Sequence, residues 1–264
     1  MHVLTWAANH RLLAMGLGVG VLVVLALVGF WFFVFRSPAT PVDLTQALRL
    51  YRQGQRPGGD DPRLPSSGVY RYRTTGSEHL SVGGISRAFP SETEQIVTDA
   101  RCATMRWEPF AQHVEGLVVC PAPGGALVTT SAPTYEKIAG TEDTTDIRCP
   151  ADAYLVPPDR TAGTSWTTAC AAAGTTVAYR GEVVGASTVV VGGTDVPALH
   201  VRIAMDFSGA ESGTSPVDYW VSPASGLVLR QRETVDLDQP AGPLGTVRYS
   251  ETMTLDLDST VPAR

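Results

Sequence analysis

Lysine and asparagine are almost missing: Lys137 and Asn9 stand alone in a chain of 264 residues in which Lys and Arg together number 20. The codons of both residues are AT-rich, so the two scarcities point to a GC-rich bacterial genome. Asn9 is followed by His10 and Arg11, which leaves no N-glycosylation acceptor. No Cys-x-x-Cys, no Gly-x-Ser-x-Gly elbow and no phosphate-binding loop occurs. These gaps argue against a thiol redox centre, a serine hydrolase turn and a nucleotide cradle, and no cofactor is expected. Positive charge is short as well. The chain carries a formal net charge of −6, and past Arg36 the acidic excess grows further, so a generalised nucleic-acid-binding surface is not expected.

What is present first is one long apolar run. Residues 12–35 contain no charged side chain and are bracketed by Arg11 and Arg36. At about 1.5 Å per helical residue, such a stretch crosses a bilayer core of about 30 Å with some tilt. The bulky block Phe30-Trp31-Phe32-Phe33 near its end suits a headgroup boundary. The run is longer than a signal-peptide core, despite the small residues of Ser37-Pro38-Ala39, so retention as a single-pass signal-anchor is expected. No Cys follows it, which removes a lipid-modified N-terminus.

Two signals disagree on orientation. Counting arginines puts Arg11 on one flank against Arg36, Arg49, Arg52 and Arg56 on the other, which favours a cytoplasmic C-terminal domain. The cysteines favour the opposite. Cys102, Cys120, Cys149 and Cys170 form an even set with no metal-ligand spacing, the pattern of two disulfides in an oxidising compartment. A short N-terminal tail is easily retained inside, so residues 1–11 are assigned to the cytoplasm, 12–35 to the cell membrane and the chain beyond them to the outside. Nearest-neighbour pairing, Cys102 with Cys120 and Cys149 with Cys170, is the simplest of three connectivities.

Residues 36–67 read as a linker with a short juxtamembrane helix. Asp43 is its N-cap, and Leu44, Ala47, Leu48 and Tyr51 share one face. That face either meets the folded domain or, with its arginines, lies along anionic lipid. From Gly68 to Arg264 helical periodicity gives way to period two. Leu199, Val201, Ile203, Met205 and Phe207 fall on one side of a strand, Met105 and Trp107 on one side of another, and Val247, Tyr249, Met253, Leu255 and Leu257 on one side of the last. Ser222-Pro223-Ala224-Ser225-Gly226 is a turn with a positive φ expected at Gly226. The expectation is a mainly β domain over 68–264, with eight to ten strands in a curved antiparallel sheet, half-barrel or barrel-like, held by two disulfides. Met105, Trp107, Leu199, Val201, Ile203, Met205 and Phe207 are the candidate apolar ligand face.

Catalytic and metal chemistry leave little trace. His113-Val114-Glu115 is a His-x-Glu pair without the cysteines that would complete a zinc deaminase site, and His79, His113 and His200 are scattered, so no metal site is expected. Glu92 with Glu94, or Glu142 with Asp143 and Asp146, supply paired carboxylates, but in polar stretches where a solvated face is the ordinary explanation.

The segments "GVYRYRTTG", "MRWEPF", "SWTTAC", "DYWVSPASGLVLR" and "GTVRYSETMTLDL" resemble a family of uncharacterised membrane-anchored actinobacterial proteins. The Trp220-to-Arg230 hairpin is also similar to one in half-barrel proteins of the LolA, LppX and RseB type. That resemblance implies a hollow that binds lipid or acyl chains. It departs from the mycobacterial carriers in lacking a lipobox cysteine, and from LolA in having few helices. The function expected is a tethered, noncatalytic domain binding a lipid or other apolar envelope molecule. The alternatives are a structural or regulatory module that contacts another envelope protein, through an open strand edge for example, and then an enzyme.

Overall fold

The computed structural model describes residues 39–54, 61–138, 141–240 and 245–264. The predicted tail, membrane span and beginning of the linker lie outside those residues, and among the described ones no helix is long and apolar enough to cross a membrane. The described residues from Ala39 onward belong, apart from Ile138, to one compact unit.

Among the described residues one α-helix, α1 (Leu44–Gly54), precedes fourteen strands. The first half comprises β1 (Gly68–Leu80), β2 (Ile85–Ala88), β3 (Glu92–Asp99), β4 (Ala103–Phe110), β5 (His113–Pro121), β6 (Leu127–Ile138) and β7 (Thr141–Arg148). The second comprises β8 (Tyr154–Val156), β9 (Ser165–Ala172), β10 (Thr175–Val191), β11 (Thr194–Gly209), β12 (Ser212–Val221), β13 (Val228–Pro240) and β14 (Thr246–Leu257). Neighbours in sequence are neighbours in space from β3 to β7 and from β9 to β14. β1 joins the two ends. One of its edges takes β14, from Tyr72 opposite Leu257 to Leu80 opposite Tyr249. Its other edge takes β3 along the first half and β2 along the second. The sheet therefore closes on itself as an up-and-down barrel, which removes most of the open edge that a half-barrel would leave. Its thinnest seam is between β7 and β9, paired at Arg148 opposite Ala171.

More strands form than the eight to ten expected. β7, TEDTTDIR, has Ile147 as its one large apolar residue, and β2 and β8 are too short to show alternation. Elsewhere the period of two decides the inside. Tyr70 and Tyr72 are buried while Arg71 and Arg73 face out, and Met105 and Trp107 are buried on β4. Both expected disulfides are present, Cys102–Cys120 and Cys149–Cys170.

The helix is capped as its sequence predicts: the Gln46 backbone N–H donates to Asp43 Oδ1 at 2.8 Å. Its apolar face turns to the barrel, not to solvent. Ala47 and Tyr51 pack with Val42, Val69 and Ile96, and Leu44 and Leu48 lie against that cluster. Burying each large side chain of this kind contributes about 1.5–3 kcal/mol, which explains why the face meets the domain. The end of the linker is also packed, since Leu64 is buried and Tyr70 Oη donates to the Ser66 carbonyl.

Gly226 has φ +65°, and a Cβ there would lie 2.6 Å from Leu127 Cδ1 and 2.8 Å from the Arg63 carbonyl oxygen. Glycine is required both by the turn and by the close approach of the linker.

Candidate functional site

Closure turns one face of every strand inward, and that interior is only partly filled. It holds a partly open cavity with about 170 Å³ available to the centres of water molecules. Five of the candidate ligand-face residues line it: Met105, Trp107, Ile203, Met205 and Phe207. Leu199 and Val201 share their face of β11 but are buried outside the cavity. Val217, Tyr219, Val235, Leu237, Tyr249, Met253 and Leu255 continue the apolar wall. Beside the β12–β13 turn, Arg232 points outward, while Gln231 and Glu233 enter the cavity.

Polar groups collect towards one end of the barrel, where β1 finishes, β14 begins and the β4–β5 hairpin turns. The chain enters there too: the Thr40 backbone N–H donates to Gln112 Oε1 at 2.9 Å, and Ala111 N–H to the Thr40 carbonyl. His113 is buried at this end between carboxylates. Its Nδ1 lies 2.7 Å from Glu78 Oε2, its Nε2 3.1 Å from Glu115 Oε1 and 4.0 Å from Glu251 Oε2. Tyr249 Oη lies within hydrogen-bond distance of both Glu78 and Glu251, and Arg87 Nε lies 2.6 Å from Glu78 Oε1. Phe89 and Trp107 set their rings edge-on to the imidazole.

The charges follow from these contacts. Burial alone would strip the proton from His113, but its hydrogen bonds to Glu115 and Glu78 and the charge of Glu251 outweigh that and hold its pKa well above the usual value. Glu78 feels the same burial, yet its bond to His113 and the charges of His113 and Arg87 keep its pKa below the ordinary carboxylate value. Glu251 goes the other way. Burial, then repulsion from Glu115, pushes its carboxyl well above the usual range. Its Oε1 is buried without a hydrogen-bond partner among the described residues, which suits a neutral acid. Glu136 and Glu233 are each pushed up to about 7, first by burial. Both line the cavity and are half-buried.

Glu78, His113 and Glu251 bring ligand atoms within 4.8 Å of one another, so these three are the residues that could hold a metal ion. The fit is poor, because both imidazole nitrogens are engaged by carboxylates and the Arg87 guanidinium already occupies Glu78. The arrangement is a hydrogen-bonded charge network that retains protons.

The scattered histidines are thus not equivalent. His113 joins the network, whereas His200 stacks on Trp220 at 4.2 Å and bonds Asp218 on another part of the sheet. Of the paired carboxylates, Glu92 and Glu94 both lie near Arg71, and Glu142 pairs with Lys137. Asp146 bonds Ser131 and pairs with Arg148, while Asp143 lines the cavity. Sequence reasoning missed Glu78, Glu136, Glu233 and Glu251. Their signal was parity: Glu251 shares the face of Tyr249 and Met253, and Glu78 that of Tyr70 and Tyr72.

No protein-family model and no curated protein matches the chain. Among solved structures it is similar to the hypothetical lipoprotein YmcC from Escherichia coli, at 13% identity and a TM-score of 0.31, over 85% of this chain and 99% of that one. It is also similar to a DUF1329 family protein from Desulfovibrio piger, at 10% identity and a TM-score of 0.22, over 84% and 95% of the two chains. Likeness at that level leaves the function to be argued from this chain's own geometry.

Proposed function

We propose that this chain is a noncatalytic binding protein of the cell envelope, tethered through residues 12–35, whose barrel interior takes up an apolar molecule such as a lipid chain. The partly open cavity of about 170 Å³ with its apolar wall carries the proposal. It compares with engineered cavities of about 150 Å³ that take up benzene-sized guests. A domain built only to stiffen or to dock would gain from filling that space with side chains. The outside supports the same reading: among the described residues only Val184, Val190 and Val261 are exposed large hydrophobics, so no broad apolar patch awaits a protein partner. The closed ring also leaves little free strand edge for a partner to pair with. His113, with both nitrogens engaged, is not poised as a general base.

The test is mass spectrometry of organic extracts from protein purified out of its native membrane. A lipid present in stoichiometric amount, and reduced when Met205 is replaced by Trp to fill the cavity, is the expected result. Protein that carries no lipid and takes up no added lipid or alkyl probe would overturn the reading.

A further inference from the structure

The cavity wall has a charge of one sign. Glu115, Glu136, Asp143, Glu211 and Glu233 line it, and no Lys, Arg or His is among the described lining residues. The arginines of the outer face are occupied elsewhere, Arg202 with Asp218, Arg230 with Asp256 and Arg248 with Asp236. Inside, the cations His113 and Arg87 answer Glu78 and Glu115. The rest form no ion pair among the described residues, and the charge of His113 reaches Glu136 and Glu233 only without direct contact. The Glu136 carboxyl makes no hydrogen bond or ion pair among the described residues, and its half-buried side chain lines the cavity. Glu233 accepts hydrogen bonds from Ser215 and Gln231, at 2.6 and 2.8 Å, but makes no ion pair among the described residues.

A carboxyl removed from bulk water and left without a counter-charge is costly, and either a proton or a bound cation relieves it. The aromatic groups beside these acids suit the second. Trp107, Tyr179, Phe207, Tyr219 and Tyr249 line the same space, and an ammonium group is attracted both to ring faces and to carboxylates. The remaining wall is aliphatic. Such a wall accepts an alkyl or aryl body, while a fatty acid or an anionic headgroup would meet like charge.

We propose that the guest of the barrel is a cationic amphiphile, a molecule with an ammonium group on a small apolar body, held by Glu136 and Glu233 at its charged end and by Met205, Phe207 and Tyr219 along its apolar part. This rests on the reading of the cavity as a binding site and adds the sign of the ligand's charge.

The experiment titrates the full chain, in nanodiscs of zwitterionic lipid, with three probes of equal length: octylamine, octanol and octanoate. Empty nanodiscs supply the reference, and binding is read by calorimetry and by quenching of tryptophan fluorescence. Octylamine should bind at least about tenfold more tightly than octanol, and octanoate more weakly than either. In the Glu136→Gln/Glu233→Gln variant, shown to be folded by near-UV circular dichroism, the ratio of amine to alcohol affinity should collapse to within about twofold. If octanol and octanoate bind the parent as tightly as octylamine, the charge inference falls and the binding reading stands. A ratio unchanged in the double variant likewise overturns it. Failure of all three probes to bind removes the binding reading itself.

Discussion

Glu233 makes the stability of the domain depend on pH in a way that one substitution isolates. Its carboxyl is pushed from an ordinary value of 4.5 up to about 7, by burial first and the charge of Glu115 second, with the bonds from Ser215 and Gln231 pulling the other way. The folded state therefore binds this proton more tightly than the unfolded chain does. The stabilisation is fully present below the unfolded pKa and is lost as pH rises through about 7. At 1.36 kcal/mol per unit, the loss between pH 4.5 and 8 is about 3 kcal/mol. With a urea m-value of about 2–3 kcal/mol per molar for a domain of this size, the midpoint should fall by about 1–1.5 M. Glu136, raised in the same direction, adds to the slope of the parent, and Glu78, lowered, acts only at acid pH. The comparison that separates Glu233 is the difference between the parent and Glu233→Gln, measured by urea unfolding under non-reducing conditions at pH 5, 6, 7 and 8. The amide keeps an acceptor for Gln231 and offers N–H to Ser215, but does not titrate. The variant should match the parent near pH 5 and exceed its midpoint by about 1 M at pH 8. Parallel curves for the two proteins would refute the reasoning.

Three further outcomes follow from the same geometry. Met205→Ala, at the cavity wall, should lower stability by only about 1 kcal/mol, whereas Leu257→Ala, 1% exposed and outside the cavity, should cost about 2–5 kcal/mol, read as melting shifts; equal shifts would mean that Met205 sits in a packed core. Gly226→Val places a β-branched side chain at φ +65° and against Leu127 and the Arg63 carbonyl, so a loss of at least about 1–3 kcal/mol is expected, and a variant that melts like its parent would refute the turn's role. Replacing Cys102 and Cys120 together by Ser should lower stability by about 3 kcal/mol through the unfolded chain, checked by denaturant midpoints of folded, oxidised parent and variant.

Most of the domain was legible because a strand's side chains alternate, and alternation survives any error in where a strand pairs. The face of β11 from Leu199 to Phe207, the pairing of the four cysteines, the Asp43 cap and the positive φ at Gly226 are all local facts, each settled by residues close together in the chain. Closure was not local. It depends on β1 meeting β14, residues some 180 positions apart as at Tyr72 and Leu257, and nothing in either strand's composition names its partner. The seam strand β7 was hidden for a related reason. Its Thr-Glu-Asp-Thr-Thr-Asp sequence carries no inward apolar residue before Ile147, because there the strand faces a cavity lined by acids and not a packed core.

The interior acids were missed through the assumption attached to them, not for want of a pattern. On an open sheet a Glu that falls on the apolar face can sit near an edge and reach water, so the position of Glu233 on the face of Leu229 and Val235 does not by itself mark a costly charge. Once the sheet closes, the same position points into space bounded by protein, and the charge must be shared, neutralised or matched. The molecule uses the first two at His113, where Glu78 and Glu115 share one imidazole and Glu251 retains its proton. The Glu136 carboxyl has no hydrogen-bond or ion-pair partner among the described residues, and the charge of His113 only partly offsets its burial. Parity together with closure thus identifies which carboxyls are costly, and the carboxyl left unmatched by the protein is the one on which a ligand's charge acts most strongly.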